Sequence, residues 1–309
     1  MNIGFDIIIP TYRPGEKFTR LLSLLQQQEY PYRQLIVINT EEELMAPEIK
    51  EALKASRDTR LVHISRQEFD HAATRRLGVS MSDAEAFICM TDDAVPADTH
   101  LLEELAKVLE EEGTAVAYAR QLPNEDAGPA ERITRSFNYP PESRRKTSAD
   151  LPELGIKTFF ASNVCCAYRR AIYDSLGGFC EKAIFNEDMI YAHKAVMAGY
   201  AVCYCAEAKV YHSHQYTPLQ QFHRNFDLGV SQAMHPEVFG GFPSEGEGLR
   251  LVRRVRAELK EQGEGKYFPG FFISSAFRYL GYRLGKAYRR LPKSLVRQFS
   301  QNKTFVENL

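Results

Sequence analysis

The chain has 309 residues, of which 44% are hydrophobic and 26% charged, and its formal net charge is −1. This composition is typical of a globular protein with a full core, and the near-zero net charge does not indicate a general nucleic-acid binder. No signal-peptide pattern precedes the first predicted strand, and no apolar run of about 18 residues could span a bilayer, so we expect a cytoplasmic protein. The six cysteines lack zinc-finger spacing, which predicts buried, reduced thiols.

The first 90 residues alternate between apolar runs and amphipathic segments. This pattern predicts strands at 5–10, 34–39, 60–64 and 86–90 and helices at 16–28, 46–56 and 72–80. The alternation predicts an α/β fold with a mostly parallel sheet flanked by helices and with ligands at the carboxyl ends of its strands. The first turn, Pro10 to Pro14, has neither a dinucleotide-binding glycine pattern nor a P-loop, so another device must hold a nucleotide.

Two adjacent carboxylates, Asp92 and Asp93, follow the apolar run that ends at Met90. Successive side chains of an extended segment point in opposite directions, so one carboxylate can face a sugar or ribose hydroxyl while the other faces a divalent cation. The structural alternative is that one of them caps a helix that begins near 97–101.

The middle of the chain is less regular. From Gln121 to Pro152 it is polar and weakly periodic, which predicts a long excursion or mobile loop beside the site. Order returns at 157–163. Beyond that point the pattern predicts helices at 169–176 and 187–198 and strands at 201–205 and 209–212.

Several motifs occur in register along the chain. They are Ile9-Pro10-Thr11-Tyr12-Arg13, Thr91-Asp92-Asp93-Ala94, Gly177-Gly178-Phe179 and Asn186-Glu187-Asp188. Together they resemble family 2 glycosyltransferases of the GT-A fold. More narrowly, Phe69 to Arg76 resembles the F-x-H-x-x-T-R-N segment of bacterial rhamnosyltransferases, and Val210 to Thr217 resembles their H-S-H-x-Y-[ST] segment. The resemblance covers about residues 5–230.

The resemblance implies a metal-dependent, inverting glycosyltransferase that moves rhamnose from dTDP-rhamnose to a cell-surface polysaccharide precursor. Asp93 would bind Mg²⁺ or Mn²⁺, with His212 or His214 as a nitrogen ligand, and Asp92 would meet the ribose or the donor sugar. Asp188 would be the catalytic base, with Glu187 orienting the site. The residues bordering the nucleotide-sugar would be Pro10, Thr11, Tyr12, Arg13, Asn39, Glu41, Arg75 and Arg224.

Structural alternatives stand beside these roles. His212 and His214 could be ordinary core or surface histidines, and the acidic residues at 186–188 would complement a helix N-terminus in any case. Arg224 would close over the diphosphate or else belong to a plain amphipathic helix. Thr74-Arg75 is expected to open a helix whose amides point at an anion.

Departures from the family pattern leave the sugar and the base of the donor undetermined. Ala72-Ala73 stand where glycines are common, and Arg76 stands where Asn is usual, so the donor sugar is not fixed. Asn39 and Glu41 lie in a turn where the family commonly has an Asp that binds the pyrimidine base. Asn39 could form a hydrogen bond with the edge of a base, but the sequence does not determine which base the donor carries.

The C-terminal part is strongly basic, with thirteen Lys/Arg and three Glu between Arg250 and Arg297 and many interleaved aromatic residues. This composition favours a helix on an anionic membrane surface, the inner face on which a lipid-linked glycan acceptor would lie; the alternative is a basic helix packed on the catalytic domain. No nucleic-acid-binding motif accompanies the charge. We predict a catalytic domain over 1–235, divided into nucleotide-sugar (1–120) and acceptor (121–235) halves, and a helical extension over 236–309.

Two other functions are compatible with an α/β chain. A sugar-phosphate nucleotidyltransferase would need a glycine-rich basic loop after the first strand, which the segment from Pro10 to Gly15 does not supply. A non-catalytic carbohydrate-binding or scaffolding protein would have no need of Asp92, Asp93 and Asp188.

Overall fold

The computed structural model describes residues 3–56, 58–241, 245–307 and 309. The chain forms two compact units. The first comprises Met1–Leu122, Pro140–Lys182 and Glu187–His212, and the second comprises Pro123–Tyr139, Ala183–Asn186 and Ser213–Leu309. The functional division predicted at residues 120 and 235 stays a prediction.

One mixed sheet forms the centre of the first unit. Its nine strands among the described residues are β1 (Phe5–Tyr12), β2 (Gln34–Thr40), β3 (Thr59–Ile64), β4 (Ala86–Met90), β5 (Val95–Pro96), β6 (Thr114–Leu122), β7 (Arg144–Lys146), β8 (Cys165–Arg169) and β9 (Ala201–Tyr211). The order across the sheet is β3-β2-β1-β4-β8-β6-β9-β5, and β7 pairs with β9.

The four N-terminal strands of the main sheet run parallel, as the alternating pattern predicts. Strand β8 is antiparallel to both β4 and β6, whereas β6 and β9 are parallel. The short strand β5 joins the far edge by pairing Val95 with Tyr211. Because β1, β2 and β4 are parallel, their carboxyl ends meet at one edge of the sheet, which is where the predicted ligand site lies.

Helices cover the sheet and build the second unit. Those among the described residues are α1 (Glu16–Gln26), α2 (Pro47–Ala55), α3 (His71–Ser80), α4 (Leu101–Glu110), α5 (Pro129–Asn138), α6 (Leu151–Leu154), α7 (Arg170–Ser175), α8 (Glu187–Met197), α9 (Pro218–Met234), α10 (Pro236–Phe239), α11 (Glu245–Glu261), α12 (Phe268–Lys286), α13 (Lys293–Phe299) and α14 (Lys303–Glu307).

The core of the first unit lies on both faces of the sheet. Alternate residues of β1, including Ile7 and Ile9, join the buried leucines of α1 and α4 in one apolar cluster. Ile8 points to the other face, where α3 approaches so closely that a Cβ at Gly78 would overlap the Ile8 side chain. The fully buried strands therefore read as continuous apolar runs, which is why the sequence pattern locates them well.

The second unit is built of helices. Phe226 and Val230 of α9 are buried with Ile184, Val296 and Phe305 in one apolar cluster. None of the described helices is long and apolar enough to cross a membrane.

Close contact between α9 and α12 depends on glycines in both helices. A Cβ at Gly281 would overlap the carbonyl oxygen of Phe222, one at Gly285 would overlap that of Phe226, and one at Gly229 would overlap that of Tyr282. The absence of side chains at these positions lets the two backbones meet.

Two parts of the prediction are wrong in detail. The segment from Gln121 to Pro152 is not one irregular excursion, because it holds the end of β6, the helix α5 and the strand β7. Helix α5 buries only Ile133 among its residues, and most of the others are polar or charged, so the segment resembles a loop in composition. The two strands predicted at 201–205 and 209–212 are one strand, β9, whose register against β6 shifts near Cys205.

Candidate active site

The ends of β1 and β2 are joined by a buried hydrogen bond. Thr11 Oγ1 donates to Asn39 Oδ1 at 3.0 Å, and both residues are buried. The amide nitrogen of Asn39 donates to the Glu41 carbonyl oxygen at 3.1 Å and lies 3.1 Å from His63 Nδ1. Asn39 therefore holds the loop after β2 in place, and its contact with a base edge stays a prediction.

Cations and one aromatic ring line the rim at the end of β1, just beyond Pro10. The Tyr12 side chain is 39% exposed, and the guanidinium groups of Arg13 and Arg66 lie 5.2 and 5.8 Å from its ring centroid. Arg13 and Glu41 both have left-handed backbones, with φ of 52° and 66°, and a Glu41 carboxylate oxygen accepts the Arg66 backbone N–H. An aromatic face beside two guanidinium groups suits a base and a diphosphate.

Asp92 and Asp93 lie in the turn that follows β4, which the Ala94 N–H closes onto Thr91. Asp92 accepts a backbone hydrogen bond from Tyr12, and burial, followed by the charge of Asp93, raises the pKa of Asp92 to about 6. Asp93 Oδ1 instead lies 3.5 Å from His212 Nε2. The two carboxylates face different partners, and neither caps α4, which has no side-chain cap.

His212 is oriented by a buried glutamine. Gln121 Nε2 donates a hydrogen bond to Ser162 Oγ at 2.9 Å. The Gln121 oxygen therefore faces His212 Nδ1, 2.9 Å away, and accepts a hydrogen bond from its N–H group. The other ring nitrogen then points at Asp93. An unprotonated Nε2 and a carboxylate oxygen are both acceptors, so they need a proton or a cation between them. This oxygen and nitrogen donor set therefore fits a divalent metal, with the glutamine fixing the ring as outer-shell partners do.

His214 belongs to the second unit and lies only two residues beyond His212. Its ring stacks on that of Tyr216 at a centroid distance of 4.8 Å. Arg224, on α9 in the same unit, has its guanidinium carbon 5.7 Å from the Tyr216 ring and 4.8 Å from the Phe185 ring. The predicted donor contact of Arg224 stays a prediction.

Asp188 lies in the first turn of α8. The residue that precedes this helix, Asn186, has φ of 66°, a left-handed conformation that Asn tolerates better than most residues. Asp188 accepts the backbone N–H of Asn163 at 2.9 Å and that of Met189 at 2.8 Å. Burial, followed by the negative charge of Glu187, raises the pKa of Asp188 to about 7. Such a carboxyl group can exchange a proton near neutral pH.

Glu187 forms a buried ion pair. Its Oε1 lies 3.1 Å from Arg75 Nη1, and each side chain is 5% exposed. Asn163 Nδ2 donates to the same oxygen at 2.9 Å, and the Tyr168 hydroxyl donates to Asn163 Oδ1 at 2.7 Å. Burial is the largest single influence and would raise the pKa of Glu187, but the charges of Arg75 and His71, with the hydrogen bonds from Asn163 and the backbone, together hold that pKa below its usual value. Glu187 is therefore an anion beside Asp188.

The structure corrects one expectation about Arg75. Helix α3 begins at His71, and the Asp70 carboxylate accepts the N–H groups of Ala72 and Ala73, so Thr74-Arg75 does not open a helix with free amides. The Arg75 guanidinium faces Glu187 and the His71 carbonyl oxygen. These contacts favour a positioning role, and its contact with the donor stays a prediction.

Three residues of the site were not predicted from the sequence. Asn163 holds both Glu187 and Asp188, Gln121 orients His212, and Arg66 lies beside the Tyr12 ring. Gln121 could have been suspected, because it is a polar residue near the end of an apolar strand. Nothing in the sequence distinguishes Arg66 from other surface arginines.

Comparison with known proteins identifies the family. Residues 6–177 match the model of Glycosyl transferase family 2. The chain belongs to glycosyltransferase family 2. It is therefore a glycosyltransferase, and the nucleotidyltransferase and non-catalytic alternatives are set aside.

Two bacterial relatives extend over nearly the whole chain. The O-antigen chain rhamnosyltransferase RfbN of Salmonella typhimurium is 38% identical over 98% of this chain and 96% of its own length. The O-antigen chain rhamnosyltransferase WbaN of Salmonella anatum is 36% identical over 99% of this chain and 96% of its own length. The predicted resemblance to bacterial rhamnosyltransferases is thus confirmed.

Solved structures confirm the GT-A fold. The mannosyltransferase PcManGT from Pyrobaculum calidifontis, in complex with GDP-Man and Mn²⁺, aligns with a TM-score of 0.63 and 13% identity over 93% of this chain and 88% of its own. S. aureus TarS (1–349) in complex with UDP aligns with a TM-score of 0.53 and 15% identity over 93% of this chain and 92% of its own. At these identities the similarity concerns the fold.

Proposed function

We propose that the protein is a metal-dependent, inverting rhamnosyltransferase that transfers rhamnose from dTDP-rhamnose to a hydroxyl group of a lipid-linked, O-antigen-type glycan. The names of the two Salmonella relatives support the sugar and the type of polysaccharide. The observation that carries the chemistry is the Asp188 carboxyl group, held by two backbone N–H groups and with its pKa raised to about 7.

Asp188 is the proposed base. As the acceptor oxygen bonds to the anomeric carbon, the bond from that carbon to the diphosphate oxygen breaks, and the acceptor proton passes to the Asp188 carboxylate. Attack from the face opposite the leaving group inverts the anomeric centre. A pKa near 7 gives a useful fraction of carboxylate at neutral pH and a stronger base than an ordinary aspartate. The hydrogen bonds from Asn163 and Met189 fix the orientation of this carboxylate.

Asp93 and His212 are the proposed metal ligands. His214 is the proposed third ligand, because two residues of chain keep its Cα within about 7 Å of that of His212. A bound divalent cation would stabilise the negative charge that develops on the departing nucleoside diphosphate. The imidazole nitrogen makes Mn²⁺ a better match than Mg²⁺, which prefers oxygen ligands alone.

The donor surrounds these groups in the proposed complex. Tyr12, with Arg13 and Arg66 beside it, would border the base and the diphosphate, while Asp92 would bind a ribose or sugar hydroxyl. The buried pair of Thr11 and Asn39 would hold this rim in shape rather than face the solvent. With a lipid-linked acceptor, the enzyme would act at the inner face of the membrane as a peripheral protein.

Thermal stabilisation by nucleotide-sugars tests the proposal. We expect dTDP-rhamnose, but not UDP-glucose, UDP-galactose or GDP-mannose, to raise the melting temperature, and only with Mn²⁺ or Mg²⁺ present. Asp93→Asn should abolish the rise in melting temperature that the donor produces when metal is present. Asp188→Asn should abolish transfer yet leave donor affinity within a few fold. The control is Asp83→Asn, because Asp83 is an exposed surface carboxylate.

Three results would contradict the proposal. Stabilisation by another donor would exclude rhamnose, and stabilisation that needs no metal would exclude the Asp93 site. Loss of donor binding in Asp188→Asn would give Asp188 a nucleotide-binding role in place of the base.

A further inference from the structure

The outward side of α12 exposes large apolar side chains in a row. Phe272, Ile273, Phe277 and Leu280 are between 37% and 54% exposed. Their spacing in a helix of 3.6 residues per turn places all four on one side. We call these four residues the apolar face of α12. Single exposed apolar residues are common on proteins, whereas a contiguous row of this kind marks an interaction surface.

The other side of α12 is fixed in place. Phe271, Gly281 and Gly285 are buried, and the two glycines lie against backbone carbonyl groups of α9. Side chains larger than hydrogen at these positions would separate the helices. Helix α12 therefore cannot turn its apolar face inward without losing this backbone contact, and the face stays exposed unless a partner covers it.

The segment that carries this face is mostly basic. From residue 265 to 306 the chain has nine Lys/Arg and no Asp or Glu, while Glu264 and Glu307 just outside it pair with Lys266 and Arg297. Arg283 is exposed on α12 itself, and Arg289, Arg290 and Lys293 are exposed just after it. A row of exposed phenylalanine and aliphatic side chains on a segment with several exposed cations is the pattern of a helix that lies in the headgroup region of an anionic bilayer.

We propose that the apolar face of α12 docks on an anionic lipid surface, with Arg283, Arg289, Arg290 and Lys293 binding the headgroups. A second copy of the chain fits less well, because a symmetric contact would bring the exposed cations of the two copies together. Nucleic acid would pair with the cations but would leave the aliphatic side chains without a partner. The proposal is independent of the donor sugar, because it concerns α12 and the residues after it alone.

Vesicle binding of the full chain, measured by co-sedimentation without donor or metal, tests this proposal. We expect binding to phosphatidylglycerol vesicles that weakens as salt rises, and little binding to phosphatidylcholine vesicles. Arg289→Gln with Arg290→Gln should lower the partition coefficient about 25-fold, since each cation near such a surface contributes about fivefold. Phe272→Ser with Phe277→Ser should lower it at least about tenfold.

Matched variants in the first unit serve as controls. Met197→Ser removes another exposed apolar side chain, and Lys17→Gln with Arg20→Gln removes two exposed cations from α1. Both controls should bind phosphatidylglycerol vesicles like the parent protein. Thermal unfolding of each variant should match that of the parent, because all the exchanged side chains are exposed.

Several outcomes would overturn the proposal. Equal binding to both kinds of vesicle would exclude the headgroup contacts. Unchanged binding by Phe272→Ser with Phe277→Ser would exclude the apolar face of α12 as the docking surface. If that variant instead converted a dimer into a monomer, a second copy would be the occupant. A protein that binds vesicles as expected but ignores dTDP-rhamnose would leave this inference standing while the proposed function failed.

Discussion

Replacing Arg75 by Met removes the cation from a buried ion pair with Glu187. At a separation of 3.1 Å and an effective dielectric constant of about 20, the attraction between the two charges is about 5 kcal/mol. Removing one partner of a buried pair leaves the other charge without compensation, which typically costs about 3–5 kcal/mol. We therefore expect Arg75→Met to lower the free energy of unfolding by about 3–5 kcal/mol.

The same replacement should change the titration of Asp188. The charge of Arg75 lowers the pKa of Asp188, so its loss should raise that pKa and move the acid limb of the rate profile to higher pH. Glu187→Gln, introduced together with Arg75→Met, removes the uncompensated anion and should restore most of the stability. Urea unfolding at pH 8 of the parent, both single variants and the double variant gives the coupling energy as a double-mutant cycle.

Arg76→Met is the matched control, because Arg76 is the next residue of α3 and is exposed. It should change the free energy of unfolding by no more than about 0.5 kcal/mol. The reasoning is refuted if Arg75→Met costs less than about 1 kcal/mol while dTDP-rhamnose binding is lost. That result would make Arg75 a donor contact, as the resemblance to the family implies.

Three further changes test other parts of the structure. Glu187→Gln removes a negative charge that raises the pKa of Asp188, so transfer should persist to lower pH, as measured by kcat between pH 5 and 8. Burial lowers the pKa of Lys146 from 10.5 to about 7. The unfolded chain therefore binds this proton more tightly, so the free energy of unfolding should decrease as pH falls from 10.5 to about 7. Lys146→Met should remove this pH dependence from urea unfolding. Gly281→Leu should overlap the Phe222 carbonyl oxygen, force α9 and α12 apart and cost about 1–3 kcal/mol in thermal unfolding.

Each of these has a contrary result, and two have a matched control. Glu181→Gln, an exposed acid near α8, should leave the pH profile of kcat unchanged, and an unshifted profile in Glu187→Gln would exclude its charge as a cause. An unchanged pH slope in Lys146→Met would mean that other groups produce it. Gly270→Leu lies in open space on the same helix and should cost little, and equal costs for both glycines would exclude close packing as the reason.

The sequence predicted the part of the fold that depends on local pattern. Strands β1, β2 and β4 are fully or almost fully buried, so their apolar runs are continuous, and the predicted bounds lie within two residues of the observed ones. The position of Asp92 and Asp93 followed from the strand that precedes them. Helix α5 was missed although Ala130, Ile133 and Phe137 have helical spacing, because most of its other residues are polar or charged and only Ile133 is buried.

The partners of site residues could not be predicted in the same way. A guanidinium group suits a phosphate and a carboxylate equally, so residue type alone could not tell whether Arg75 binds a donor or Glu187. The answer depends on how α3 and the start of α8 pack together, more than 100 residues apart in the chain. Asn163 was missed for the same reason, since its role exists only where three segments meet.

The pairing of the two-residue strand β5 with the end of β9 has a consequence for the order of folding. Val95 pairs with Tyr211, more than 100 residues later, and these residues are close neighbours of Asp93 and His212. Closing so long a stretch of chain for so short a ladder is entropically unfavourable, so this edge should form late, after the parallel strands have assembled. Asp93 and His212 then come together only in molecules whose sheet is complete. Metal-dependent donor binding would accordingly measure the fully folded fraction of a preparation. Helical content, in contrast, would include molecules in which β5 has not yet paired with β9.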